Sequence, residues 1–196
     1  MENVVFNENF IEQALNKLKE KHNLNSVIIE LKYHQMGDLV ARASYKDYHN
    51  GNKNEFVIEI FPPFIKEKHQ DTILAHEIIH VKDTIRWLSN SEPDYRYAIS
   101  NDLKGELVRL IWDISIDMRM REFSGVLGEE YRLKKFRERK ININGIRYRI
   151  NNKFCLDQEI KKIEDLIESN KLNFDTMKNM AEQKFNFYKT YLEKNE

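Results

Sequence analysis

Apolar and polar positions follow two rhythms along this chain, and the rhythms divide it into helices and strands. From about Asn7 to His22, Phe10, Ile11, Ala14, Leu15 and Leu18 recur at helical spacing, and Asn7 can cap the start. Three strand patterns follow. Ser26–His34 is β-branched, Leu39–Tyr45 lies beyond a Gly37-Asp38 turn, and Glu55–Phe61 lies beyond an Asn50-Gly51-Asn52 turn. In the third, Phe56, Ile58 and Ile60 oppose Val57 and Glu59, and Pro62-Pro63 ends the strand. Helical spacing returns over Gln70–Leu88, where Leu74, Ile78, Val81, Ile85 and Leu88 mark one core face. A polar segment, Ser89–Asn101, reads as a loop. The next helix, about Asp102–Glu122, carries the stripe Leu103, Leu107, Leu110, Ile114 and Met118.

Beyond Ser124-Gly125 the character changes. Tyr131–Ile150 holds eight basic residues against Glu138 alone, and Asn144-Gly145 within it is a two-residue hairpin signal. Amphipathic helices near Leu156–Ser169 and Phe174–Glu193 follow. The expected architecture is α+β: an N-terminal helix, a three-stranded antiparallel or mixed sheet, two core helices, and a hairpin-plus-helix extension. The expected division is a core over 1–125 and an extension over 126–196 that packs on it as a lid or cap.

Composition narrows the function classes. Lys+Arg and Asp+Glu each number 32 among 196 residues, so the chain as a whole is no polyanion binder. Six Gly and three Pro exclude low-complexity classes. The apolar runs are too short to span a bilayer, so no membrane partner is expected. The start, MENVVFNENF, lacks the basic segment of a secretory signal. A single cysteine, Cys155, excludes an internal disulfide and a Cys-rich metal site. Together these point to a cytoplasmic protein.

The chemistry concentrates in His76-Glu77-Ile78-Ile79-His80, an H-E-x-x-H on a predicted helix. The i, i+4 spacing puts both imidazoles on one face, one turn apart. Neutral imidazole is a good zinc ligand, and two from one turn can fill two corners of a tetrahedron. Glu77 stands beside them as the base that takes a proton from the attacking water. A catalytic zinc needs a third protein ligand and an open position. Asp113 and Asp117, again one turn apart, lie beside the core stripe of the following helix, where an acid is costly unless paired or metal-bound. One ligating carboxylate leaves the centre at +1 and a useful Lewis acid, whereas two would neutralise it. One of the two is therefore expected to bind metal and the other to orient a ligand histidine. Asp83 shares the histidine face and is either such an orienting acceptor or a solvated residue. Tyr95, Tyr97 and Arg119 are candidates to stabilise the oxyanion.

The run Ile73–Asp83 resembles the active-site helix of gluzincin zinc metallopeptidases. It is most similar to the family of CAAX prenyl and heat-shock membrane proteases and their soluble relatives, the minigluzincins. The order helix, three strands, active-site helix, ligand helix resembles that family over about Asn7–Glu122. The resemblance implies a zincin-like fold, one zinc ion, peptide-bond hydrolysis, and a third strand at the sheet edge above the cleft. There a substrate peptide would add as a further strand. The family carries Glu-x-x-x-Asp on its ligand helix, where this chain has Asp113-x-x-x-Asp117. Asp is one carbon shorter, about 1.5 Å of reach. A Trp-x-x-x-x-Asp pattern seen in some metallopeptidases matches Trp112–Asp117 and favours Asp117.

The expected function is therefore a zinc metalloendopeptidase acting on a peptide or protein substrate. The C-terminal segment would act as an autoinhibitory cover, as in related small enzymes. The alternative is a non-hydrolytic zinc-fold regulator that binds nucleic acid or a protein partner through the basic 131–150 segment.

Overall fold

The computed structural model describes residues 8–34, 41–45, 54–61, 70–90, 103–120, 140–143, 146–149 and 157–193. The chain divides into two compact units, Met1–Ser91 and Glu92–Glu196. The change of character at Ser124-Gly125 lies outside the described residues, as do the three expected turns and stops at Gly37-Asp38, Asn50-Gly51-Asn52 and Pro62-Pro63.

The first unit contains helix α1 (Glu8–Lys21), strands β1 (Ile28–Tyr33), β2 (Ala41–Tyr45) and β3 (Glu55–Ile60), and helix α2 (Gln70–Asn90). Helix α1 turns its buried Ile11 and Leu15 inward and packs on α2. It ends at Asn23, which takes a left-handed φ of 57°. The Leu24 N–H then reaches back to the Lys19 carbonyl at 2.7 Å and the Asn23 N–H to that of Glu20 at 3.1 Å. This is a Schellman motif, with Asn tolerating a conformation that most side chains disfavour.

The sheet order is β1-β3-β2, with β1 parallel and β2 antiparallel to β3. The third strand is therefore central, which corrects the expectation that it forms the sheet edge. Phe56, Ile58 and Ile60 are buried on one face, and Val57 is buried between Glu55 and Glu59 on the other, so the strand's apolar face sits fully in the core. The polar, five-residue β2 takes an edge instead. Glu59, the one acid in the middle of β3, stands opposite Lys32 on β1 and Arg42 on β2. Arg42 Nε donates to Glu59 Oε2 at 2.8 Å, and His34 Nε2 lies 3.1 Å from Oε1 while its ring stacks on Phe61.

The second unit contains helix α3 (Leu103–Arg119), a hairpin of β4 (Lys140–Ile143) and β5 (Ile146–Arg149), and helices α4 (Asp157–Glu168) and α5 (Phe174–Glu193). Helix α3 packs against α4 and α5. Its Leu107, Val108, Ile111, Trp112, Ile114 and Ile116 are buried, a wider band than the single stripe expected. Helix α5 supplies Met177, Met180, Ala181 and Tyr188 to this core. Lys184 of α5 pairs with Glu159 of α4 at 3.0 Å, with both side chains largely covered. The turn into α5 is a reciprocal capping box. The Thr176 N–H donates to Asn173 Oδ1 at 2.9 Å, and the Asn173 N–H to Thr176 Oγ1 at 3.0 Å. In the hairpin, Lys140 pairs with Arg149 and Ile143 with Ile146; Asn144-Gly145 lies outside the described residues. The rest of the basic stretch, 131–139, and Cys155 lie outside the described residues. Among the described residues, no helix is long and apolar enough to cross a membrane.

Candidate metal centre

Helix α2 places His76 and His80 one turn apart, and the structure brings their ring nitrogens together: Nε2 to Nε2 is 3.1 Å. The rings stand edge to face at 72°, with centroids 4.8 Å apart. Zinc–nitrogen bonds of about 2.0–2.1 Å put two nitrogens of a tetrahedral ion about 3.3 Å apart. The observed spacing therefore suits joint ligation with little movement of either ring. It equally suits a hydrogen bond in which one ring donates and the other accepts. His76 is 2% exposed and His80 is half-buried.

Glu77 is also buried, and its Oε2 accepts the main-chain N–H of Ala43 on β2 at 2.7 Å. The core stripe of α2 does not include His76, Glu77 or Asp83, yet all three are buried beside Leu74, Ile78 and Val81. The helix thus has a second covered face, and this one is polar. Burying a carboxylate is costly unless a donor meets it, and Ala43 supplies one to Glu77. Asp83 is 4% exposed, which removes its reading as a solvated residue.

Asp113 and Asp117 lie one turn apart on α3 of the second unit, both half-buried among Trp112, Ile114 and Ile116. Buried Ser115 between them is satisfied locally, its Oγ donating to the Trp112 carbonyl at 2.6 Å. Arg119, at the exposed end of α3, donates from Nε to the Ser115 carbonyl at 3.1 Å. Tyr95 and Tyr97 lie outside the described residues.

Two perturbed groups border the first unit's helices. His22 is held below its ordinary pKa of 6.5 by burial and then by the positive charges of Lys82 and Lys21. Burial, and then Glu8 and Glu12, push the Tyr33 phenol up to about 12.

The group that sequence reasoning missed is the Ala43 amide. A main-chain donor leaves no mark in residue identity, and only the strand order shows which amides face outward. Comparison with protein-family models, characterised proteins and solved structures finds no match to this chain.

Proposed function

We propose that this protein is a zinc-dependent peptide hydrolase centred on His76, Glu77 and His80. The observation that carries this reading is the pair of imidazole nitrogens 3.1 Å apart with a buried glutamate one residue along. The sequence offers a carboxylate, Asp113 or Asp117 of the following helix, as the third donor. Two neutral nitrogens and one carboxylate are a donor set that suits Zn²⁺ and leaves one position open. Of these two acids, one would bind the metal and the other would orient its neighbours.

Zinc, when bound, would acidify water and polarise the scissile carbonyl. The protein's own part is then division of labour. His76 and His80 fix the ion's place, and the short span of one helical turn sets the angle between them. Glu77 takes the proton of the attacking water and returns it to the leaving amine, as a positioned general base and acid. The sheet edge beside Glu77 is β2, so an extended peptide lying along its outer side would pass the base with its main chain, pairing at positions other than the Ala43 N–H that Glu77 takes. Such pairing favours recognition of the backbone over that of any one side chain.

The test is metal analysis of the chain purified without added zinc, together with cleavage of labelled casein. Wild type should hold one zinc per chain. Glu77→Gln should keep the metal and lose about 10²–10⁴-fold in rate. One of Asp113→Asn and Asp117→Asn should lower zinc affinity far more than the other. A zinc-loaded wild type that leaves casein intact refutes the hydrolase reading.

A further inference from the structure

The contact between Glu77 and the sheet has a geometric consequence. Among the described residues, strand β2 has a partner on one side only, and Ala43 stands opposite Ile58 in that antiparallel pair. Along an antiparallel strand, main-chain N–H groups point alternately toward the partner and away from it. The Ala43 N–H is spent on Glu77 Oε2 at 2.7 Å. Ala43 is therefore an outward-facing position, and Arg42 and Ser44 on either side of it face β3.

A glutamate carboxylate rotates easily about its last torsion, so burial alone does not fix which oxygen faces a reacting group. One strong donor does. We infer that the Ala43 main-chain amide is a positioning group for the general base. It holds Oε2 against the strand and leaves Oε1 as the oxygen that receives the proton. The inference rests on the hydrolase reading of the site and deepens it. It also makes β2 serve two purposes: its inner side is ladder, and one outward amide orients the base on α2. A side chain at position 43 is not needed for this; the backbone donor is.

Proline supplies a selective perturbation. An edge strand accommodates proline where the N–H faces away from the sheet, so Ala43→Pro removes this donor and leaves the ladder bonds of β2 in place. In the zinc-loaded full chain, kcat of Ala43→Pro should fall on the order of 10²-fold, the cost of misplacing a catalytic group by about 1 Å. Zinc affinity should stay within roughly twofold, because it does not depend on the orientation of Glu77.

Amide hydrogen exchange reads the contact without activity and without altering the strand. The Ala43 amide should exchange at least about tenfold faster in Glu77→Ala than in wild type, with Arg42 and Ser44 unchanged. Glu77→Gln keeps an acceptor oxygen, so it should retain the protection while losing cleavage. An Ala43 amide indifferent to Glu77→Ala, or an Ala43→Pro chain with wild-type kcat, overturns the positioning role and leaves the hydrolase reading standing. A wild type that shows the exchange pattern and binds zinc but cleaves no peptide overturns the hydrolase reading, and the positioning role with it.

Discussion

Replacing His80 with alanine separates a metal-binding pair from a hydrogen-bonded one. His80 is half-buried whereas His76 is 2% exposed, so the substitution at 80 disturbs packing less. The two nitrogens lie 3.1 Å apart, and with bonds of about 2.05 Å they would subtend an angle of about 98° at a shared ion, close to tetrahedral. Little strain therefore offsets the second bond. Structural zinc sites with four ligands are worth about 10–16 kcal/mol, or about 3 kcal/mol for each ligand. Loss of His80 should weaken zinc binding by about 10²-fold. Competition with a chromogenic chelator at fixed pH measures this directly. His34→Ala is the control, since that ring faces Glu59 at 3.1 Å and has no part in the pair. Zinc should also raise the melting temperature of wild type as its concentration exceeds Kd, and do so far less in His80→Ala. A His80→Ala chain whose zinc affinity stays within about threefold of wild type refutes the argument, because one ligand of three cannot be worth so little.

Other consequences concern the frame around the site. Ile58, fully buried at the centre of β3, should cost about 2–5 kcal/mol on truncation to alanine, read as a lower urea midpoint with an unchanged slope. Asn173→Ala removes the cap of α5 and should cost about 1 kcal/mol by the same assay, with zinc binding untouched. The lowered pKa of His22 means that the unfolded chain, titrating near 6.5, binds its proton more readily than the folded one. Its contribution to stability is therefore full above 6.5 and declines as pH falls from there through the lowered folded value. His22→Asn should flatten that decline, as followed by melting temperature against pH.

Much of the framework was legible because local rules and tertiary packing agree. The alternation in Glu55–Phe61 marks a strand, the hairpin expected over Ile141–Ile150 is met by the β4–β5 pairing, and the spacing of Leu74, Ile78 and Val81 marks the buried face of α2. The place of β3 within the sheet was misjudged from the expected edge role. Its alternation of apolar and polar residues marks a strand but not which strands lie beside it, because lateral pairing is set by main-chain hydrogen bonds and not by side chains. The i, i+4 spacing of His76 and His80 foretold their meeting, because one turn of helix suffices. The sequence does not separate Asp113 from Asp117 as candidate ligand, since they share one face and one chemistry. The polar second face of α2 was hidden as well. Burial of Glu77 depends on a backbone donor that arrives from a strand 34 positions earlier in the chain.

The salt link at Glu59 bears on more than the far side of the sheet. A slide of β2 by one residue along β3 would carry Arg42 away from Glu59 and exchange the inward and outward amides of β2. The Ala43 N–H would then turn into the sheet and abandon the glutamate on α2. A pair of surface charges worth little in free energy thus guards the alignment on which the Ala43–Glu77 contact depends, and its loss would be felt as misdirection before it was felt as unfolding.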